Sequence, residues 1–115
     1  MEYKIEKTDE TPEVIFTEKS LTLAGRSLPE NVTSFYSKIM QDLKEVNQDF
    51  TFNIKLEYFN TATSKIILDM LYILEEKKIN TVNWYYDQDD EDMFDAGVEY
   101  SELVEGLKFN FIIFT

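Results

Sequence analysis

Three hydroxyl side chains, Thr61, Thr63 and Ser64, follow directly on Tyr58-Phe59-Asn60. A β-patterned run ends at this point and an amphipathic helical pattern begins, so the hydroxyls stand where a helix N-terminus should form. Such an end offers unpaired backbone N–H groups and the positive pole of the helix dipole, which hold a hydroxyl oxygen well and a phosphate better. The segment reads in two ways. It is an ordinary cap, because Ser and Thr are favoured at N-caps on structural grounds alone, or it is a phosphorylation switch with the cap position as its phosphate seat.

Other chemistry is sparse. The 115 residues include no cysteine and no histidine, which removes disulfides, thiol nucleophiles, the usual zinc sites and imidazole acid–base catalysis. With only Gly25, Gly97 and Gly106 there is no glycine-rich loop to cradle a phosphate. Lys55 and Glu57 could exchange a proton, but they occupy the polar side of an alternating strand and read as a surface pair. The acidic run Asp87-Gln88-Asp89-Asp90-Glu91-Asp92 has hard oxygen donors. As a calcium loop it fails, having Asp92 where glycine is needed and Val98 where the bidentate glutamate is needed. The stretch 87–95 is either solvated or a docking surface for a basic partner. Tyr85, next to it, is a candidate contact residue. No metal and no cofactor is expected.

Composition sets the frame for these residues. A hydrophobic fraction of 43% and an aromatic fraction of 15% are enough for a real core in one domain. A net charge of −12 disfavours nucleic acid and anionic membranes as partners. The first residues lack a basic stretch followed by a long apolar run, and no apolar segment nears the roughly 20 residues of a membrane span, so a cytoplasmic protein is expected.

The elements that position the hydroxyls follow from periodicity. Residues 1–12 are polar, end in Pro12 and read as a loose arm, with a single domain over 13–115. Val14-Ile15-Phe16 and Leu21-Thr22-Leu23 are spaced as a β-hairpin. Ser27-Leu28-Pro29-Glu30 has the form of a capping box ahead of a helix whose stripe is Val32, Phe35, Tyr36, Ile39, Met40 and Leu43. In residues 50–58, Phe50, Phe52, Ile54, Leu56 and Tyr58 alternate with polar residues, the pattern of a strand buried on one face. The helix after Asn60 buries Ile67, Met70, Leu71 and Leu74; a strand over 81–86, a helix near 91–105 and a strand over 107–114 complete the chain. The order β-β-α-β-α-β-α-β predicts an α/β fold: a two-layer domain with a mixed sheet and about three helices mainly on one face. The last strand, apolar on both sides, is expected to be central or to meet a partner.

Three segments, Gly25-Arg26-Ser27-Leu28-Pro29-Glu30-Asn31, Glu57-Tyr58-Phe59-Asn60-Thr61-Ala62-Thr63-Ser64-Lys65 and Trp84-Tyr85-Tyr86-Asp87, together resemble the SiaC family of bacterial regulatory phosphoproteins over residues 13–114. The resemblance implies a STAS-like, non-enzymatic protein of a partner-switching system. A cognate protein kinase adds a phosphate, a PP2C-type phosphatase removes it, and the unmodified form binds an effector such as a diguanylate cyclase. It implies Thr61 as the phosphoacceptor, with Thr63 and Ser64 as secondary candidates. Tyr58 and Asn60 belong to the motif, Asn60 positioning the loop, and Lys65 either holds the phosphate or is a plain surface lysine. Ala62 departs from the commoner serine at its position. The alternative from a different class is a domain that binds a small anionic molecule at the same helix N-terminus; an acidic enzyme using a metal ranks below it.

Overall fold

A computed structural model describes residues 2–79 and 81–114. Three antiparallel strands come first: β1 (Tyr3–Ile5), β2 (Glu13–Phe16) and β3 (Ser20–Ser27). Three crossovers follow, through α1 (Val32–Leu43) to β4 (Thr51–Phe59), through α2 (Thr61–Glu76) to β5 (Thr81–Tyr86), and through α3 (Glu91–Leu103) to β6 (Lys108–Ile113). The parallel strands pair in chain order, so the sheet runs β1-β2-β3-β4-β5-β6. Each right-handed crossover steps the same way along the sheet, which puts all three helices on one face.

That face holds the core. Val14, Phe16, Leu21, Leu23, Phe52, Ile54, Val82 and Trp84 rise from the strands to meet Tyr36, Ile39, Leu43, Ile67, Met70, Leu71 and Leu74, all essentially sealed from solvent. Trp84 lies under α3, where its indole N–H donates to the Met93 carbonyl at 3.0 Å. A Cβ on Gly97 would come within 2.6 Å of that indole, so only glycine lets the helix pass this close.

The opposite face has no helical cover. A row of amides crosses it in register: Asn110 Nδ2 donates to Asn83 Oδ1 at 2.9 Å, Asn83 Nδ2 to Asn53 Oδ1 at 2.8 Å, and Asn53 Nδ2 to Thr22 Oγ1 at 3.2 Å. Four neighbouring strands are thus stitched by side chains as well as by the backbone ladder.

Four expectations need correction. The segment read as a loose arm contains β1, whose Tyr3, Lys4 and Ile5 pair with Phe16, Ile15 and Val14; a three-residue strand among charges is too short to show as a pattern. Ser27 is not an N-cap but the buried last residue of β3; Asn31 caps α1, its Oδ1 accepting from the Ser34 N–H at 3.0 Å. Of the two readings of the last strand, the central one fails: the strand lies at the sheet edge. Tyr58 breaks the alternation of β4 and is 53% exposed. The register shifts between Gly25, paired with Leu56, and Arg26, paired with Tyr58, so Glu57 is an extra residue and the strand turns over. Gly25 takes the left-handed φ of +107° that this bulge demands.

Candidate functional site

The bulge decides what the end of β4 presents. Phe59 turns inward, its ring edge-on to Trp84 at 6.3 Å, and Tyr58 turns out under the guanidinium of Arg26, whose Cζ is 5.9 Å from the ring centroid. Arg26 is the one arginine among eleven basic residues. Nothing in the hydropathy pattern singled it out; the positive φ at Gly25 that aims it is visible only in the fold.

Asn60 then caps α2, its extended backbone (φ −86°, ψ 176°) letting Oδ1 accept from the Thr63 N–H at 2.9 Å. Its own N–H donates to the Ser27 carbonyl at 3.1 Å, which fixes the start of the helix to the end of β3. The cap of α2 is thus an asparagine rather than one of the three hydroxyls.

The hydroxyls have separate fates. Thr63 is fully buried; its Oγ1 donates to the Ser27 carbonyl at 3.1 Å and lies 2.9 Å from Ser27 Oγ, which in turn lies 2.7 Å from Tyr36 Oη. One proton order satisfies the set: Tyr36 O–H to Ser27 Oγ, Ser27 O–H to Thr63 Oγ1, Thr63 O–H to the carbonyl. Burial pushes the Tyr36 hydroxyl up to about 12, the Ser27 hydrogen bond acting in the other direction. Thr63 is therefore out of reach of a modifying enzyme, and the secondary assignment to it is withdrawn. Ser64 is half-buried, with Oγ 3.0 Å from Tyr100 Oη, and that tyrosine donates to the Ser64 carbonyl at 2.8 Å. Thr61, at the first helical position, is exposed and its hydroxyl is in no hydrogen bond among the described residues.

Electrostatics separate this helix end from its neighbour. The first turn of α2 carries no acid, whereas α3 begins with Glu91 and Asp92 and is capped by Asp90, whose Oδ1 accepts from the Met93 N–H at 2.9 Å. The acidic run thus builds the turn and cap of α3, and among the described residues no group of three or more carboxylates is arranged to hold a metal ion. Lys65 is exposed one turn after Thr61. Tyr85 lies elsewhere, on the open face of the sheet, with Lys55 Nζ 4.7 Å above its ring and Phe114 beside it at 5.8 Å. A depression of about 510 Å³ on that face, lined by Lys7, Glu13, Lys55, Glu57, Asp87 and Phe114 among others, draws no side chain from α2. Among the described residues no helix is long and apolar enough to cross a membrane.

Fold and site define a small α/β domain with the Thr61 hydroxyl bare at the acid-free N-terminus of α2. The chain belongs to the SiaC family of regulatory phosphoproteins, whose family model matches residues 5–114. Apo-SiaC from Pseudomonas aeruginosa has the same fold, with a TM-score of 0.79 over 100% of this chain and 99% of that one at 23% identity. SiaC in the crystal structure of the diguanylate cyclase SiaD with its activator SiaC, from the same organism, gives 0.81 over 96% and 97% at 26% identity. An uncharacterized protein of Pseudomonas aeruginosa strain UCBPP-PA14 is 26% identical over 90 residues, 71% of each chain.

Proposed function

We propose that this protein is a non-enzymatic, STAS-like component of a bacterial partner-switching system and works in the cytoplasm. In its unmodified form it binds and activates a diguanylate cyclase; the SiaC of Pseudomonas aeruginosa is the activator of the diguanylate cyclase SiaD and forms a complex with it. A cognate protein kinase phosphorylates Thr61 and ends that interaction; a PP2C-type phosphatase restores it. One observation carries the reading: of the three hydroxyls at the start of α2, only that of Thr61 is both exposed and unengaged.

The chemistry is asymmetric in the required way. A phosphate on Thr61 adds about two negative charges at the positive end of a helix whose first turn holds no acid, so the fold accepts it. Thr61 and Ala62 contribute amides with no acceptor inside the helix, and Lys65 offers a cation nearby. In an interface the same dianion is desolvated, and a penalty of about 3 kcal/mol lowers affinity by more than about 100-fold. Tyr58 and Arg26 border the same end of β4 and complete the surface a partner meets.

The test pairs Thr61→Glu with Thr61→Ala against a diguanylate cyclase encoded beside the gene. The glutamate variant should melt within about 2 °C of the parent and lose at least about 100-fold in affinity, the alanine variant keeping both. Intact mass of protein from its own host should show one phosphate, mapped to Thr61. Full-affinity binding by a folded Thr61→Glu protein would falsify the proposal.

A further inference from the structure

The edge strand β6 lacks the devices that normally protect a sheet edge. Its one charge is Lys108 at the first position; Phe109 to Phe114 carries no charge, no proline and no bulge, and Ile113 is 43% exposed. The Phe114 N–H donates to the Tyr86 carbonyl at 2.9 Å, so the even-numbered residues bond to β5. Backbone direction alternates along a strand, and the N–H and C=O groups of Phe109, Phe111 and Ile113 therefore point outward, with no neighbouring strand to pair with among the described residues.

The amide row on the open face ends at this same edge. Each asparagine donates toward β3, so Asn110, the last, uses its N–H on Asn83 and turns its Oδ1 to the edge with no donor to meet it among the described residues. A second copy of the chain, itself at a net charge of −12, would set its own acidic α3 beside this one. A strand that brings a donor to this position would satisfy the Asn110 oxygen. On the other face, Phe94 of α3 rests on Phe111 at 5.3 Å. Glu91 and Asp95 stand with Phe94 and Tyr86 around a cleft of about 350 Å³, and Glu102 continues the acidic row along the helix. Both the side-chain register and the charge select the same occupant.

We propose that β6 is a strand-addition site for a basic extended segment of another protein, with Lys, Arg, Asn or Thr opposite Asn110 and a second cation facing α3. This surface lies two strands from Thr61 and is independent of it.

A synthetic nonapeptide alternating Lys with Val and Thr, and its Glu-for-Lys counterpart, test the site by amide NMR and hydrogen exchange on the whole protein. The basic peptide should shift the β6 amides and protect those of Phe109, Phe111 and Ile113 at least tenfold, and the acidic one should not. Raising ionic strength from about 0.05 M to about 0.5 M should weaken binding several-fold. Ile113→Pro removes an outward N–H without touching the β5 ladder and should cost at least tenfold in affinity; backbone N-methylation of the peptide makes the same test without altering the protein. Equal binding of both peptides, or no response at β6, overturns the proposal. So does a concentration-dependent dimer that Ile113→Pro abolishes, because that would make the occupant a second copy.

Discussion

Ser27 shows how much a single hydroxyl can organise. It lies between Tyr36 of α1 and Thr63 of α2, fully buried, at 2.7 and 2.9 Å, and its carbonyl accepts from both Thr63 and the Asn60 N–H. Ser27→Ala should cost about 1–3 kcal/mol, because the Tyr36 and Thr63 hydroxyls stay buried with a partner missing; urea unfolding measures it. A Ser27→Ala/Tyr36→Phe double variant should recover part of the loss, since one orphaned hydroxyl is gone. The sequence pointed to Ser27 for the wrong reason. Ser27 and Glu30 have the spacing of a capping box, but Asn31 is the better acceptor and lies next to the helical stripe, so it caps α1 and frees Ser27 for the core. The cluster around Thr61 was legible as a set of hydroxyls at a helix start. Which of them is exposed was not, because that depends on where α1 and α3 come to rest against α2.

At the scale of elements, α2 ends as informatively as it begins. The Ile79 N–H donates to the Leu74 carbonyl and that of Lys78 to Glu75, both at 3.0 Å, the paired bonds of a Schellman cap. Lys78 holds the left-handed position at φ 63°, which glycine takes with no steric cost. Lys78→Gly should therefore stabilise the protein by about 0.5–1 kcal/mol, seen as a higher urea midpoint at unchanged slope. Gly97 is the opposite case. Gly97→Ala sets a methyl against the Trp84 indole, and moving α3 away should cost about 1–3 kcal/mol despite alanine's higher helix propensity. The helices and the long strands were readable because each repeats its period several times. Tyr58 was misread because a period of two cannot register one extra residue, and after Glu57 every side chain of β4 changes face.

Across the whole molecule, one-sided cover follows from chain order, and this much was readable: β4 alternates, three crossovers step the same way, and the helices share a face. The contribution of β1 to the edge was hidden, and so was the end of the amide row at β6, because both depend on pairing between distant segments. The same cover also creates a pH dependence shared by separate elements. Burial raises Tyr36 on α1 to about 12, burial and then the Asp42 carboxylate raise Tyr3 on β1 to about 12, and burial raises Tyr100 on α3. An unfolded tyrosine ionises near 10. Below pH 10 both states keep the phenol neutral and the full stability is present; from pH 10 to about 12 the unfolded chain releases protons first, so stability falls with rising pH. Tyr36, the most buried of the three, should account for about 2–3 kcal/mol of that fall, with less from Tyr3, a residue only partly covered by the protein. Denaturant midpoints measured from pH 9 to 12 should show the slope, and Tyr36→Phe, which has no proton to lose, should flatten it. A Tyr36→Phe slope equal to that of the parent would mean that the buried phenol opens to water before it ionises.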